Sequence, residues 1–196
     1  MDGFPHASCI SVNEQIVHGV PTERILNDGD IITVDIGVSY KGHHTDAART
    51  FPVGDISSNR DSIIRASYRA LDIGISNALP NNRVGDISYS IQKEIMLSGY
   101  ETVLEYGGHG IGLSPHSNPF IPNYGTRGKG GKLVDGQCVA IEPILIKGSN
   151  KVEEDKVDGW TVFSPGGFIS SHVEDTIIIA DPPVVLTRRT LKGIRI

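Results

Sequence analysis

Four carboxylates stand inside segments that otherwise read as protein interior. Asp35 interrupts the β-branched run from Ile31 to Val38 (IITVDIGV), and Asp46 follows in the next extended stretch. Glu142 sits within VAIEPIL, and Glu174 comes just before Thr176-Ile177-Ile178-Ile179. Burying an ionised acid alone is very costly, so these segments pack together only where something neutralises the charge. Arg49 is one cation near them, and a salt bridge would serve a single acid. A divalent metal cluster would satisfy all four together.

The pattern around the acids is that of an α+β fold. Ile31 to Val38, Lys41-Gly42 and the stretch from His44 to Val53 read as a β-hairpin. With its turn centred on Tyr40 and Lys41, Asp35 and Asp46 face each other directly, with Cβ atoms about 4.5 to 5.5 Å apart. Two carboxylates so placed repel unless a cation or proton intervenes. From Ser58 the period becomes helical, with Ile64, Tyr68, Leu71, Ile75 and Leu79 on one face, Ser58 and Asp61 as a capping box, and Pro80 as the stop. A second helix carries Val84, Ile87, Ile91 and Ile95, with Gly99 in position for a left-handed cap. Strand-like runs return at Cys138 to Ile146, Trp160 to Phe163 and His172 to Ile179. Residues 123–132 read as a surface turn and 147–158 as a mobile solvated loop. Strands, two helices, then strands place the helices against one antiparallel sheet.

Composition excludes several functions. Hydrophobic residues make up 38% and charged ones 21% of the 196 residues, which suits one globular domain over 1–196 and not a disordered chain. A formal charge of -5 with scattered Lys and Arg offers no basic stripe for nucleic acid. No apolar run approaches the roughly 20 residues of a membrane span, and the start lacks signal-peptide character. Cys9 and Cys138 are too few and too distant for a disulfide framework or a CxxC zinc site, as expected of a cytoplasmic protein.

His109 lies in Tyr106-Gly107-Gly108-His109-Gly110-Ile111-Gly112, where the flanking glycines let another group come close to the imidazole. Four carboxylates and one imidazole make a mixed donor set suited to a pair of manganese, iron, cobalt or zinc ions.

Residues Tyr106 to Tyr124 (YGGHGIGLSPHSNPFIPNY) resemble the signature segment of type I methionine aminopeptidases, with His116 seven positions after His109. Ile10 to Glu14, Val17 to Pro21, Asp35-Ile36-Gly37, Thr45 to Phe51, Ile141-Glu142-Pro143 and Glu174-Asp175-Thr176 are similar to the same family. The likeness runs from about Gly3 to Asp181.

The resemblance implies an α+β pita-bread fold, two pseudo-symmetric halves closing on a dinuclear metal centre. It implies Asp35, Asp46, His109, Glu142 and Glu174 as ligands of two divalent ions, with Asp46 and Glu174 bridging. By the same resemblance, a metal-bridging water would attack the scissile carbonyl and Glu142 would accept its proton. His116 contacts the substrate carbonyl, and His18 the scissile amide nitrogen. Phe4, Cys9 and Trp160 are implied as walls of the methionine pocket. The substrate is the N-terminus of a peptide or nascent protein with a small second residue. The enzyme is expected to be a cytoplasmic monomer, with ribosome association as a further expectation.

His44 and His172 each stand two residues before an implied ligand and share its face in extended structure; supporting or structural roles are expected for both. Family members carry an arm ahead of the Gly-Phe-Pro region. That arm is expected to be missing or short here, leaving a more open pocket and an apolar patch.

Aminopeptidase P and prolidase enzymes use a similar ligand set, but the placement of His18 and the match at Tyr106 to Tyr124 favour the methionine enzymes. The 33 positions from His109 to Glu142 leave no room for the inserted subdomain of the type II form. A non-catalytic pita-bread protein that binds a partner such as the ribosome is the alternative from another class.

Overall fold

The computed structural model describes residues 3–187. Two strands, β1 (Cys9–Val12) and β2 (Gln15–Val17), lead into a long hairpin of β3 (Ile31–Tyr40) and β4 (His43–Pro52). Helices α1 (Ser58–Ser76) and α2 (Val84–Leu97) follow. The remaining strands are β5 (Glu101–Thr102), β6 (Gly107–Gly110), β7 (Ser117–Pro122), β8 (Cys138–Ile141), β9 (Ile144–Ile146), β10 (Glu153–Glu154), β11 (Val162–Phe163), β12 (Ser170–His172), β13 (Asp175–Ile178) and β14 (Val184–Val185).

The expected single sheet is divided into four: β1-β3-β4, β10-β11-β2, β12-β9-β5, and β14-β13-β8-β6-β7. The division falls at the acids. The run from Cys138 to Ile146 breaks at Glu142-Pro143, where proline lacks a ladder N–H, and β8 and β9 enter different sheets. The run from His172 to Ile179 breaks at Val173-Glu174, and β12 and β13 part in the same way. Glu142 and Glu174 therefore occupy the two crossings between the same pair of sheets.

The hairpin register differs from the sequence expectation by two residues. Tyr40 pairs with His43, so Gly37 opposes Asp46 and Asp35 opposes Ala48. The turn residues are Lys41 and Gly42, with φ of 50° and 76°. Two positive φ values are what a two-residue hairpin turn of matching twist requires. Asp35 and Asp46 still share a face, as diagonal neighbours. On the other face Ile36, Val38 and Tyr40 are 44%, 52% and 69% exposed.

Helix α1 buries Ile63, Ile64, Ala70, Leu71 and Ile75 and packs on β9, β12, β4 and β8. Its N-cap is Ser57, with no side-chain cap, so the capping box of Ser58 and Asp61 does not form; Asp61 instead accepts from Arg65 at 2.7 Å. Leu79 lies beyond the helix. Helix α2 buries Val84, Ile87, Ile91 and Ile95 and ends as its sequence indicates. Gly99 has φ 76°, its N–H donates to Met96 O, and Tyr100 N–H reaches back to Ile95 O, which is a Schellman closure.

The segment 147–158 is not wholly irregular, since it holds β10, paired with β11. The turn 123–132 is anchored at its start by Asn123, which is fully buried. No helix among the described residues is long and apolar enough to cross a membrane.

Candidate metal centre

Strand β4 fixes the backbone around Glu174. Thr50 Oγ1 donates to His172 O at 2.8 Å and accepts from His172 N–H at 3.1 Å, while Thr33 Oγ1 lies 2.8 Å from Thr50 Oγ1. Glu174 N–H donates to Ala48 O at 2.9 Å, and the Arg49 guanidinium donates to Glu174 O. The same guanidinium holds Asp175 Oδ1 at 2.5 Å. Thr176 Oγ1 bonds both the N–H and the carbonyl of Asp46, each at 2.8 Å. Asn123 Nδ2 donates to Glu142 O at 2.9 Å. Three consecutive residues of β4 thus place His172 and Glu174 under the hairpin that carries Asp35 and Asp46.

His109 arrives from the five-stranded sheet, paired with Ala140 and Phe120. Its glycines matter for a different reason from the one the sequence suggested. A Cβ on Gly108 would stand 2.3 Å from Ala140 O, and one on Gly110 2.2 Å from Asn118 O, so they admit neighbouring backbone. His109 Nδ1 lies 3.0 Å from Gly110 O; donating there leaves the Nε2 lone pair for a cation. That Nε2 is 3.7 Å from Glu142 Oε1.

The side chains converge as overlapping triads. Ligand atoms of Asp35, Asp46 and Glu174 lie within 4.8 Å of one another, and so do those of His109, Glu142 and Glu174. A third triad joins Asp46, His109 and His116. Glu174 belongs to both groups that hold two or more acids.

The electrostatics are those of a site short of positive charge. Burial, then His172 acting in the opposite sense, then Asp46 and Glu142 leave the Asp35 pKa at about 7. Glu174 is raised well above its ordinary value by burial and by Glu142, Asp46 and Asp35. Glu174 is only 2% exposed, and its Oε1 has no hydrogen-bond partner. Burial also works against ionised Glu142, but His172, His109 and His18 outweigh it and hold its pKa below the usual range. An unpartnered buried carboxylate oxygen among three other acids fits a divalent cation.

The cluster lies in a cleft of about 840 Å³ lined by Phe4, Cys9, His18, His44, Tyr106 and His116, among others. Burial lowers the His18 pKa to about 4, leaving a neutral ring edge-on to Tyr106 with centroids 5.4 Å apart. His116 packs 4.4 Å from His109, and burial followed by the His109 charge lowers its pKa. Burial, Asp35 and Asp46 push the Cys9 thiol up to about 12, so it is a small protonated wall. Trp160 is not on the cleft surface; it stands behind Phe4, edge-on at 5.3 Å. Tyr106, Thr176 and Asn123 had no assigned role from sequence. Only Tyr106 carried a signal, being adjacent to the glycines of the histidine segment.

Residues 1–181 match the model of metallopeptidase family M24. The chain belongs to that family. Among M24 relatives, it is 44% identical to a methionine aminopeptidase of Clostridium perfringens over 186 residues, covering 94% of this chain and 74% of that protein. The crystal structure of methionine aminopeptidase from Thermotoga maritima superposes with a TM-score of 0.90 at 38% identity, covering 93% of this chain and 74% of that one. A prolidase from Pyrococcus horikoshii matches with a TM-score of 0.75 at 22% identity, over 96% of this chain and 49% of that one, a likeness of fold alone. The M24 pita-bread fold is α+β, as the sequence resemblance implied.

Proposed function

We propose that this chain hydrolyses the N-terminal methionine from peptides and nascent proteins, using two divalent ions held by Asp35, Asp46, His109, Glu142 and Glu174. The observation that carries this reading is the sharing of buried Glu174 between two triads of ligand atoms, with one of its oxygens unpartnered. The likeness to methionine aminopeptidases supports the substrate.

Divalent ions bound there supply Lewis acidity and a water acidified towards neutral pH. The residues do the rest. Glu142, kept ionised by the imidazoles around it, accepts a proton. His116 donates a hydrogen bond to the substrate carbonyl as charge develops on its oxygen. His18, neutral near pH 7, bonds the scissile amide nitrogen. Phe4 and Cys9 receive the methionine side chain, with Trp160 backing Phe4, and the second residue is small. The mixed oxygen and nitrogen donors suit manganese, cobalt, iron or zinc. The enzyme acts as a cytoplasmic monomer, close to the ribosome where new chains emerge; free Cys9 and Cys138 suit that reducing compartment.

The test is release of methionine from Met-Ala-Ser after chelation and readdition of manganese, cobalt, iron or zinc. Release only with metal supports the reading. No release with any metal overturns it, and cleavage only beside proline moves the chain to prolidase chemistry.

A further inference from the structure

His172 is 2% exposed, and neither of its ring nitrogens has a hydrogen-bond partner of normal geometry. A buried polar ring left unsatisfied is costly, so its nearest charged neighbour is informative. That neighbour is Glu142 and not Glu174 two residues along: Nε2 lies 3.4 Å from Glu142 Oε2. The other oxygen of the same carboxylate, Oε1, faces His109 Nε2 at 3.7 Å. Among the described residues, no triad of ligand atoms includes His172.

The sheet geometry makes this placement firm. His172 pairs with Ile144 across β12 and β9, and Glu142 leaves β8 two residues before Ile144. Both backbone groups of His172 are bonded to Thr50 Oγ1, so the ring is aimed from a fixed base. Glu142 O is held in turn by Asn123.

We propose that His172 is a positioning residue for Glu142: its Nε2–H bonds Oε2 and fixes the plane of the carboxylate, so that Oε1 stays turned towards His109 and the metal centre. The inference rests on the reading of Glu142 as ligand and proton acceptor. Hydrogen-bond partners that orient metal ligands commonly govern 10- to 100-fold in affinity or activity.

The test compares the parent enzyme with His172→Gln, which keeps an N–H donor, and His172→Leu, which removes it at similar volume. Calorimetric titration with Co(II) and the visible Co(II) spectrum are recorded with kcat and KM on Met-Ala-Ser. His172→Leu is expected to weaken Co(II) binding by about 10- to 100-fold, shift the spectrum and lower kcat more than it changes KM. His172→Gln is expected to restore most of each. In the Zn(II)-loaded parent, 15N NMR of the histidine rings is expected to show a proton on His172 Nε2, a readout that stands even if His172→Leu does not fold. A bare Nε2, or Gln and Leu variants alike in affinity and spectrum, overturns the proposal. A parent that releases no methionine yet shows the same affinity pattern removes the functional reading and leaves the positioning role standing.

Discussion

Gly37 lies directly across the β3–β4 hairpin from Asp46, and a Cβ on it would stand 3.8 and 3.9 Å from the two carboxylate oxygens. The residue facing Asp46 thus has no side chain, and the space above the carboxylate is left for a cation and for substrate. Gly37→Val fills that space without strain, because Gly37 is in extended strand and β-branched residues suit it. Metal affinity is expected to fall about tenfold or more, while stability of the metal-free protein changes by less than about 1 kcal/mol. Calorimetric titration and urea unfolding measure the two separately.

Asp35 and Glu174 make the metal-free protein sensitive to pH. Both have folded-state pKa values raised above the ordinary range, Asp35 from 3.8 to about 7. The folded state then holds more protons than the unfolded state across that interval, and stability falls as pH rises through it. The Asp35 shift alone corresponds to on the order of 4 kcal/mol at about 1.4 kcal/mol per unit. Glu142 has the opposite sign, and its contribution is lost as pH falls through its depressed pKa. His18, its pKa lowered from 6.5 to about 4, also has the opposite sign and adds stability as pH rises through that interval. Urea unfolding therefore compares the chelated parent with Asp35→Asn, and the parent is expected to lose stability relative to the variant from about pH 4 to pH 7. A chelated parent that gains stability relative to Asp35→Asn over that range contradicts this.

Arg49 joins the hairpin to the crossing that carries Glu174. It donates to Ala48 O and Glu174 O and forms a mostly buried ion pair with Asp175, the two side chains being 13% and 10% exposed. Arg49→Ala leaves Asp175 uncompensated, a loss of about 3–5 kcal/mol. Arg49→Lys keeps the charge but loses the planar fork, and a smaller loss of about 1–2 kcal/mol is expected. Thermal unfolding at fixed pH ranks the two.

Gly108 admits Ala140 O to within 2.3 Å of where a Cβ would stand, and both residues lie in paired strand backbone, Gly108 opposite Ile121 and Ala140 opposite His109. Gly108→Ala is expected to destabilise the fold by more than about 3 kcal/mol and to displace His109 with it. Gly131 has no neighbour within 4 Å of the corresponding position, so Gly131→Ala serves as the tolerated control. Soluble yield and urea midpoint separate the two.

What could be read from sequence was local. The stripe of Val84, Ile87, Ile91 and Ile95 and its closure at Gly99 follow from nearest-neighbour physics, and both are found in the structure. Asp35 and Glu142 stood out because their neighbours are apolar, Glu174 because an apolar run follows it, and Asp46 only through its place in the partner strand. The register of the hairpin did not, because it depends on Lys41 adopting positive φ, which no side-chain pattern announces. The clamps on His172 and Glu174 were invisible for a related reason. Thr50 and His172 are 122 residues apart, and only the folded topology tells a threonine that holds a crossing from one that faces solvent. The break at Glu142-Pro143 was missed, the run from Cys138 to Ile146 reading as one strand, although proline's missing ladder N–H is the physical cause. The parting of β8 and β9 into separate sheets has no local signal at all.

Anomalous diffraction from crystals of the chelated protein soaked with manganese or cobalt bears most directly on the convergence of these side chains. The expected result is a pair of adjacent peaks, one among Asp35, Asp46 and Glu174 and the other among His109, Glu142 and Glu174, with Glu174 touching both. Peaks elsewhere, or none in this cleft while methionine release from Met-Ala-Ser persists, would contradict it.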